Sequence, residues 1–189
     1  MLPVSASIFA SIGLLSLVLG AVQLIAQQVD RQARWRLWAF GVGVDGWIFS
    51  TSVAVQQMTP PGTANLMADR ISYAAMFLLV ILLLGLTFRY WEVPQRPLLG
   101  LVLPLHAVIV AVILLTDLVV VSQFDLRDAL PFWGGTYYEA ASGALQPFLS
   151  LYLLFFGVAA LVVWLRLRNR SRPSDRKSTR LNSSHYRTS

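Results

Sequence analysis

The sequence predicts an all-α, polytopic membrane helix bundle with five transmembrane helices and the N-terminus outside. Three observations carry this reading. Of the 189 residues, 56% are hydrophobic and 13% charged, with a mean hydropathy of +0.62 and no cysteine. A soluble domain carries about 45–50% apolar and about 25% charged residues. The apolar residues gather into five runs, each near the roughly 20 residues that cross a hydrocarbon layer. The arginines gather in alternate connections between those runs. The balance excludes a soluble enzyme, a disordered chain and a disulfide scaffold.

The five spans cover residues 4–27, 38–57, 66–88, 98–121 and 146–165. Hydrocarbon offers the backbone no hydrogen-bond partners, so each run is helical. The first span lacks the positive n-region of a secretory signal, because no Lys or Arg precedes Arg31. It is therefore read as an uncleaved helix. Pro104 interrupts the ladder of the fourth span and predicts a kink there. Pro147 suits the first turn of the fifth. The fourth and fifth spans are joined by the longest connection, residues 122–145, rich in Gly, acids and aromatics. A loop of that length exceeds what two neighbouring helices need.

Orientation follows from charge. Arg31, Arg34 and Arg36 follow span one, Arg89 and Arg96 follow span three, and Arg166, Arg168, Arg170 and Arg172 follow span five. The opposite connections hold Arg70 and Arg127 against Asp69, Asp117, Asp125, Asp128 and Glu139. Excess Lys and Arg marks the cytoplasmic side. The same alternation accounts for the net charge of +6 without a nucleic-acid partner, which would require one contiguous basic face. Trp35, Trp38, Tyr90, Trp91 and Trp164 stand at the cytoplasmic ends, where amphipathic rings anchor helices. Phe132, Trp133, Tyr137 and Tyr138 stand outside.

Residues 175–185, DRKSTRLNSSH, read as one frame of a sequencing-library adapter. Residues 175–189 are therefore expected to be an artefactual tail, and the natural chain to continue differently past Ser174.

Candidate sites are few. Gly41-Val42-Gly43-Val44-Asp45-Gly46 matches GxGxxG, but a dinucleotide fingerprint needs a preceding strand. Inside a span, small residues instead allow helices to approach closely. Gln23, Asp45 and His106 lie at similar depths, about 12–13 Å from their flanking span ends. They form a candidate intramembrane polar layer, because polar groups at that depth face a partner or a cavity. Pro104 precedes His106 by two residues, so a carbonyl freed by the kink is expected near it. Trp133, Tyr137 and Glu139 in the long outer loop are the candidate input face. No catalytic centre, cofactor site or metal-ligand cluster is predicted.

The segment Arg70-Ile71-Ser72-Tyr73, running to Phe88-Arg89-Tyr90, resembles the third helix of the seven-transmembrane sensor region of bacterial histidine kinases. Pro104 with Thr116-Asp117 resembles that family's Pro and Thr-Asn in the fourth helix, and Gly143 to Tyr152 its Gly-Pro…Tyr opening of the fifth. Ala144 stands where the family has Pro, and Gln146-Pro147 where it has aromatics. The resemblance implies that residues 1–174 are the sensor domain of a multi-pass protein of the bacterial inner membrane. It implies two further helices and a cytoplasmic output domain, a histidine kinase or a diguanylate cyclase. It also implies a homodimer and a small ligand arriving from outside or within the membrane. A small-molecule carrier is the reading from another class; it needs a polar path and inverted repeats.

Overall fold

A computed structural model describes residues 4–30, 33–91, 96–128 and 136–185, with side chains as far as Arg168, excepting those of residues 96–99 and 128. The order is α1 (Val4–Val29), α2 (Trp35–Met58), α3 (Thr63–Tyr90), α4 (Arg96–Leu115), β1 (Val120–Asp128), β2 (Thr136–Ser142) and α5 (Gln146–His185). The result is a mostly helical bundle. Four helices are long and apolar enough to cross a membrane: Val4–Val29, Trp35–Met58, Thr63–Tyr90 and the stretch Gln146–Arg168. A shorter apolar helix occupies Gly100–Leu115.

The all-α expectation needs one correction. The connection between α4 and α5 contains an antiparallel hairpin, β1 against β2. The fourth helix correspondingly stops at Leu115, not at residue 121. The Thr116 hydroxyl donates to the Val112 carbonyl at 2.7 Å and accepts the Leu118 N–H at 3.3 Å, which turns the chain. Val119, Val120 and Val121 are as apolar as a helix end, so hydropathy alone extends the span through them. Their β-branched side chains suit a strand, and β1 takes up Val120 and Val121. The ladder shifts register between Val121 and Phe124. Such an irregularity bends the strand, and here it lets the hairpin fold back over the bundle.

Close packing between α1 and α2 rests on glycine. A Cβ added to Gly43 would lie 2.7 Å from the Gly20 Cα and 2.7 Å from the Ser16 carbonyl oxygen. The two backbones therefore touch, as small residues permit in membrane helices. Gly41 faces Leu82 of α3, and Gly46 faces Ser16 of α1. The GxGxxG match is thus a pair of helix-packing faces in mid-helix. About one turn away on the same α2–α3 contact, the Trp38 ring lies against Gly85, where any side chain would collide with it.

The hydrophobic core sits where α3, α4 and the hairpin meet. Ala74, Phe77, Ile113, Val119, Val120 and Ala140 are buried there, with Leu149 and Tyr152 of α5 packed against them. Away from this core the helices present hydrocarbon outward. Leu14 and Leu19 of α1, and Phe148, Leu151, Leu154 and Phe155 of α5, are each more than half exposed. A contiguous apolar surface of this extent marks a lipid or protein interface.

Candidate functional site

Buried polar side chains gather at one end of α3, beneath the hairpin. The spacing Asn65, Asp69, Arg70, Tyr73, in steps of four, one and three residues, puts four polar groups on one broad side of the helix. Asn65 is fully buried, and its Nδ2 donates to the carbonyls of Gln56 at 3.0 Å, Thr59 at 3.1 Å and Tyr138 at 3.2 Å. It therefore ties the end of α2 to β2. Asp69, 3% exposed, accepts the Ala140 N–H at 3.2 Å through Oδ2. Arg70, 6% exposed, donates to the Leu114 carbonyl at 3.2 Å and the Val120 carbonyl at 3.3 Å, and pairs with Asp117. One guanidinium thus closes the end of α4, the turn after it and the start of β1. Its planar fork of five donors makes several acceptors reachable at once.

α5 joins the same assembly. Gln146 donates through Nε2 to the Tyr73 hydroxyl at 3.0 Å. Gly143 precedes it, with its N–H on the Val119 carbonyl at 2.8 Å. A side chain at Gly143 would strike the Leu118 carbonyl, so the chain passes there only as glycine. On the hairpin, Arg127 donates through Nε to Glu139 at 3.2 Å. Burial raises the Tyr137 phenol above its ordinary value; Glu139 adds to the shift and Arg127 opposes it.

The predicted polar layer has a different arrangement from the one expected. His106 is fully buried, among rings of α3 and α5: Tyr152 and Phe156 at 5.5 Å and Phe77 at 6.4 Å between centroids. Its Nδ1 lies 3.0 Å from the Val102 carbonyl and 3.4 Å from the Tyr152 hydroxyl. A proton on Nδ1 satisfies the shorter contact and leaves Nε2 as an acceptor. The contacted carbonyl lies four residues back from His106, not from Pro104, so it is not the one the proline frees. Asp45 is buried on α2, and its Oδ2 has no hydrogen-bond partner among the described residues. Gln23 is half-buried on α1. Among the described residues, no hydrogen bond joins Gln23, Asp45 and His106.

Of the outer-loop candidates, Tyr137 and Glu139 lie on β2, each half-buried, whereas Trp133 falls outside the described residues. Among the other motif positions, Arg70, Tyr73 and Gly143 lie in the assembly beneath the hairpin, and Tyr152 contacts His106. Arg89 and Tyr90 stand at the opposite end of α3. Sequence reasoning missed Asn65 entirely and read Asp69 only as a loop charge. Their signal was present: polar residues four apart at the mouth of an apolar run.

Among the described residues no group of three or more His, Cys, Asp or Glu is placed to hold a metal ion. No family model, curated protein or solved structure matches the chain.

Proposed function

We propose that this chain is the membrane-embedded input module of a signalling receptor of the two-component type. The reading joins the resemblance carried by Arg70, Tyr73, Arg89, Tyr90, Gly143 and Tyr152 to one observation. The hairpin is hydrogen-bonded to buried side chains of α3, through Asn65 to Tyr138, Asp69 to Ala140 and Arg70 to Val120. α3 then runs without a break from Thr63 to Tyr90, at the arginine-rich end. A ligand that displaces the hairpin must strain these bonds and so biases the seating of a spanning helix. An input of this kind acts by differential affinity for two packings of the bundle. In this reading the stimulus is a small molecule meeting Tyr137 and Glu139, and the working unit is a homodimer in the bacterial inner membrane. The output is a histidine kinase or, as the alternative within the same class, a diguanylate cyclase.

Reading the genomic locus past codon 174 tests the proposal. A kinase or cyclase domain in frame supports it. A reading frame that closes after seven helices overturns it. In that case substrate uptake by proteoliposomes of the full-length product tests the carrier reading.

A further inference from the structure

One cavity at the arginine-rich end gathers four aromatic rings that simple anchoring would scatter around the bundle. It measures about 540 Å³ and opens between the start of α2, the last turns of α3 and α5. Trp35, Tyr90, Trp91 and Trp164 line it, together with Leu83 and Leu86. The volume suits a small organic ligand, since such pockets run to roughly 300–1,000 Å³. Leu83 and Trp91 stand eight residues apart in the chain, about 12 Å along the axis of α3. The cavity therefore runs lengthwise, from the arginines toward the middle of the spanning segment.

Two features define what fits. The first is the wall. Trp35 and Tyr90 meet edge to face at 5.5 Å, and Tyr90 and Trp91 at 5.3 Å, with their planes 79° and 85° apart. The rings thus form a corner of flat faces. Indole and phenol faces are electron-rich, so they favour a flat, electron-poor ring over a flexible chain. The second feature is one donor. The Trp91 Nε1–H is buried and has no hydrogen-bond partner among the described residues. A buried N–H needs an acceptor. The Thr87 hydroxyl on the same wall donates to the Leu83 carbonyl at 2.8 Å, so its proton is already placed. Arg168 also lines the cavity, 5.4 Å from the Trp164 ring, and a neutral ligand asks nothing of its charge.

We infer that this cavity binds one isoprenoid quinone from the bilayer. A quinone is flat, electron-poor and neutral, and its ring carbonyls accept hydrogen bonds. One carbonyl takes the Trp91 Nε1–H, the ring lies against the indoles, and the tail leads along Leu83 and Leu86 into hydrocarbon. The site depends on the chain being a membrane protein and is independent of whether that protein signals.

Native mass spectrometry of the full chain, delipidated in detergent, tests this with decylubiquinone, decylbenzene and phosphatidylglycerol as probes. One decylubiquinone is expected to be retained, saturably, at about fivefold lower concentration than decylbenzene, which has a ring and the tail but no carbonyl. Trp91→Phe keeps a ring and loses the donor, so it weakens the quinone about fivefold and leaves decylbenzene unchanged. Leu86→Trp fills the cavity and abolishes retention of both, at unchanged helicity by circular dichroism. Arg127→Gln, on the distant hairpin, changes neither. Equal retention of decylubiquinone and decylbenzene overturns the assignment, as does an unaltered quinone affinity in Trp91→Phe or in folded Leu86→Trp. Displacement of the quinone by one equivalent of phosphatidylglycerol also overturns it, because the cavity is then a phospholipid site.

Discussion

The two ends of α3 are built from opposite materials. At the hairpin end, Asn65, Asp69 and Arg70 are buried and make directed bonds to α2, α4 and both strands. At the other end, Leu83, Leu86, Tyr90 and Trp91 offer surface and rings, and the neighbouring helices stand off far enough to leave a cavity. Directed bonds fix one geometry, since a buried donor or acceptor without its partner costs about 1–3 kcal/mol. Apolar contact tolerates several geometries at nearly equal energy. The lesson is a division of labour along one helix, with a pinned end under the hairpin and an adaptable end among the arginines.

Substitutions can break or sharpen this contrast. The largest effect is expected for Arg70→Ala. It strips the Leu114 and Val120 carbonyls of a charged donor and leaves Asp117 without its ion-pair partner. A loss of about 3 kcal/mol is expected in reversible unfolding in mixed micelles. A loss below about 1 kcal/mol would mean that the hairpin end is not pinned by this residue. Next comes Gly43→Val, which forces apart backbones that touch at Gly20. Overpacking of this kind costs about 1–3 kcal/mol, read as a lower melting temperature in the same micelles. Asn65→Ala follows, at about 2 kcal/mol, from three carbonyls left with one donor fewer. Amide exchange of Tyr138 and its strand neighbours should rise with it. The smallest is Arg127→Ala. Its partner Glu139 is one-third exposed and Arg127 itself more than half, so the pair contributes no more than about 0.5 kcal/mol. A loss comparable to that of Arg70→Ala would erase the distinction between buried and surface polar groups on which the comparison rests.

Much of the helical framework was legible in the sequence. The runs at residues 4–27, 38–57 and 66–88 lie inside α1, α2 and α3, and that at 146–165 opens α5, because an apolar run of about 20 residues with few charges is a statement about length. The hairpin was not legible. Hydropathy cannot tell Val119 to Val121 in a strand from the same valines in a helix, and the turn that decides between them is a single Thr116 hydroxyl. The polar assembly was half legible. Arg70 stood out by its motif, but its partners Leu114 and Val120 are backbone carbonyls 44 and 50 residues away. A sequence does not display a carbonyl. Depth along a helix placed Gln23, Asp45 and His106 at one level, yet depth is one coordinate of two. The azimuth that turns His106 toward Tyr152 and Phe156 comes only from packing.

The central claim is that the hairpin end and the arginine-rich end lie on opposite sides of a bilayer. The chain contains no cysteine, so single reporters can be introduced without background. Leu126→Cys on the hairpin and Arg34→Cys before α2 both occupy exposed positions. In intact cells, a membrane-impermeant maleimide should label the thiol at position 126 and should reach position 34 only after the membrane is opened. Labelling of both thiols from the same side of an intact membrane would contradict the account.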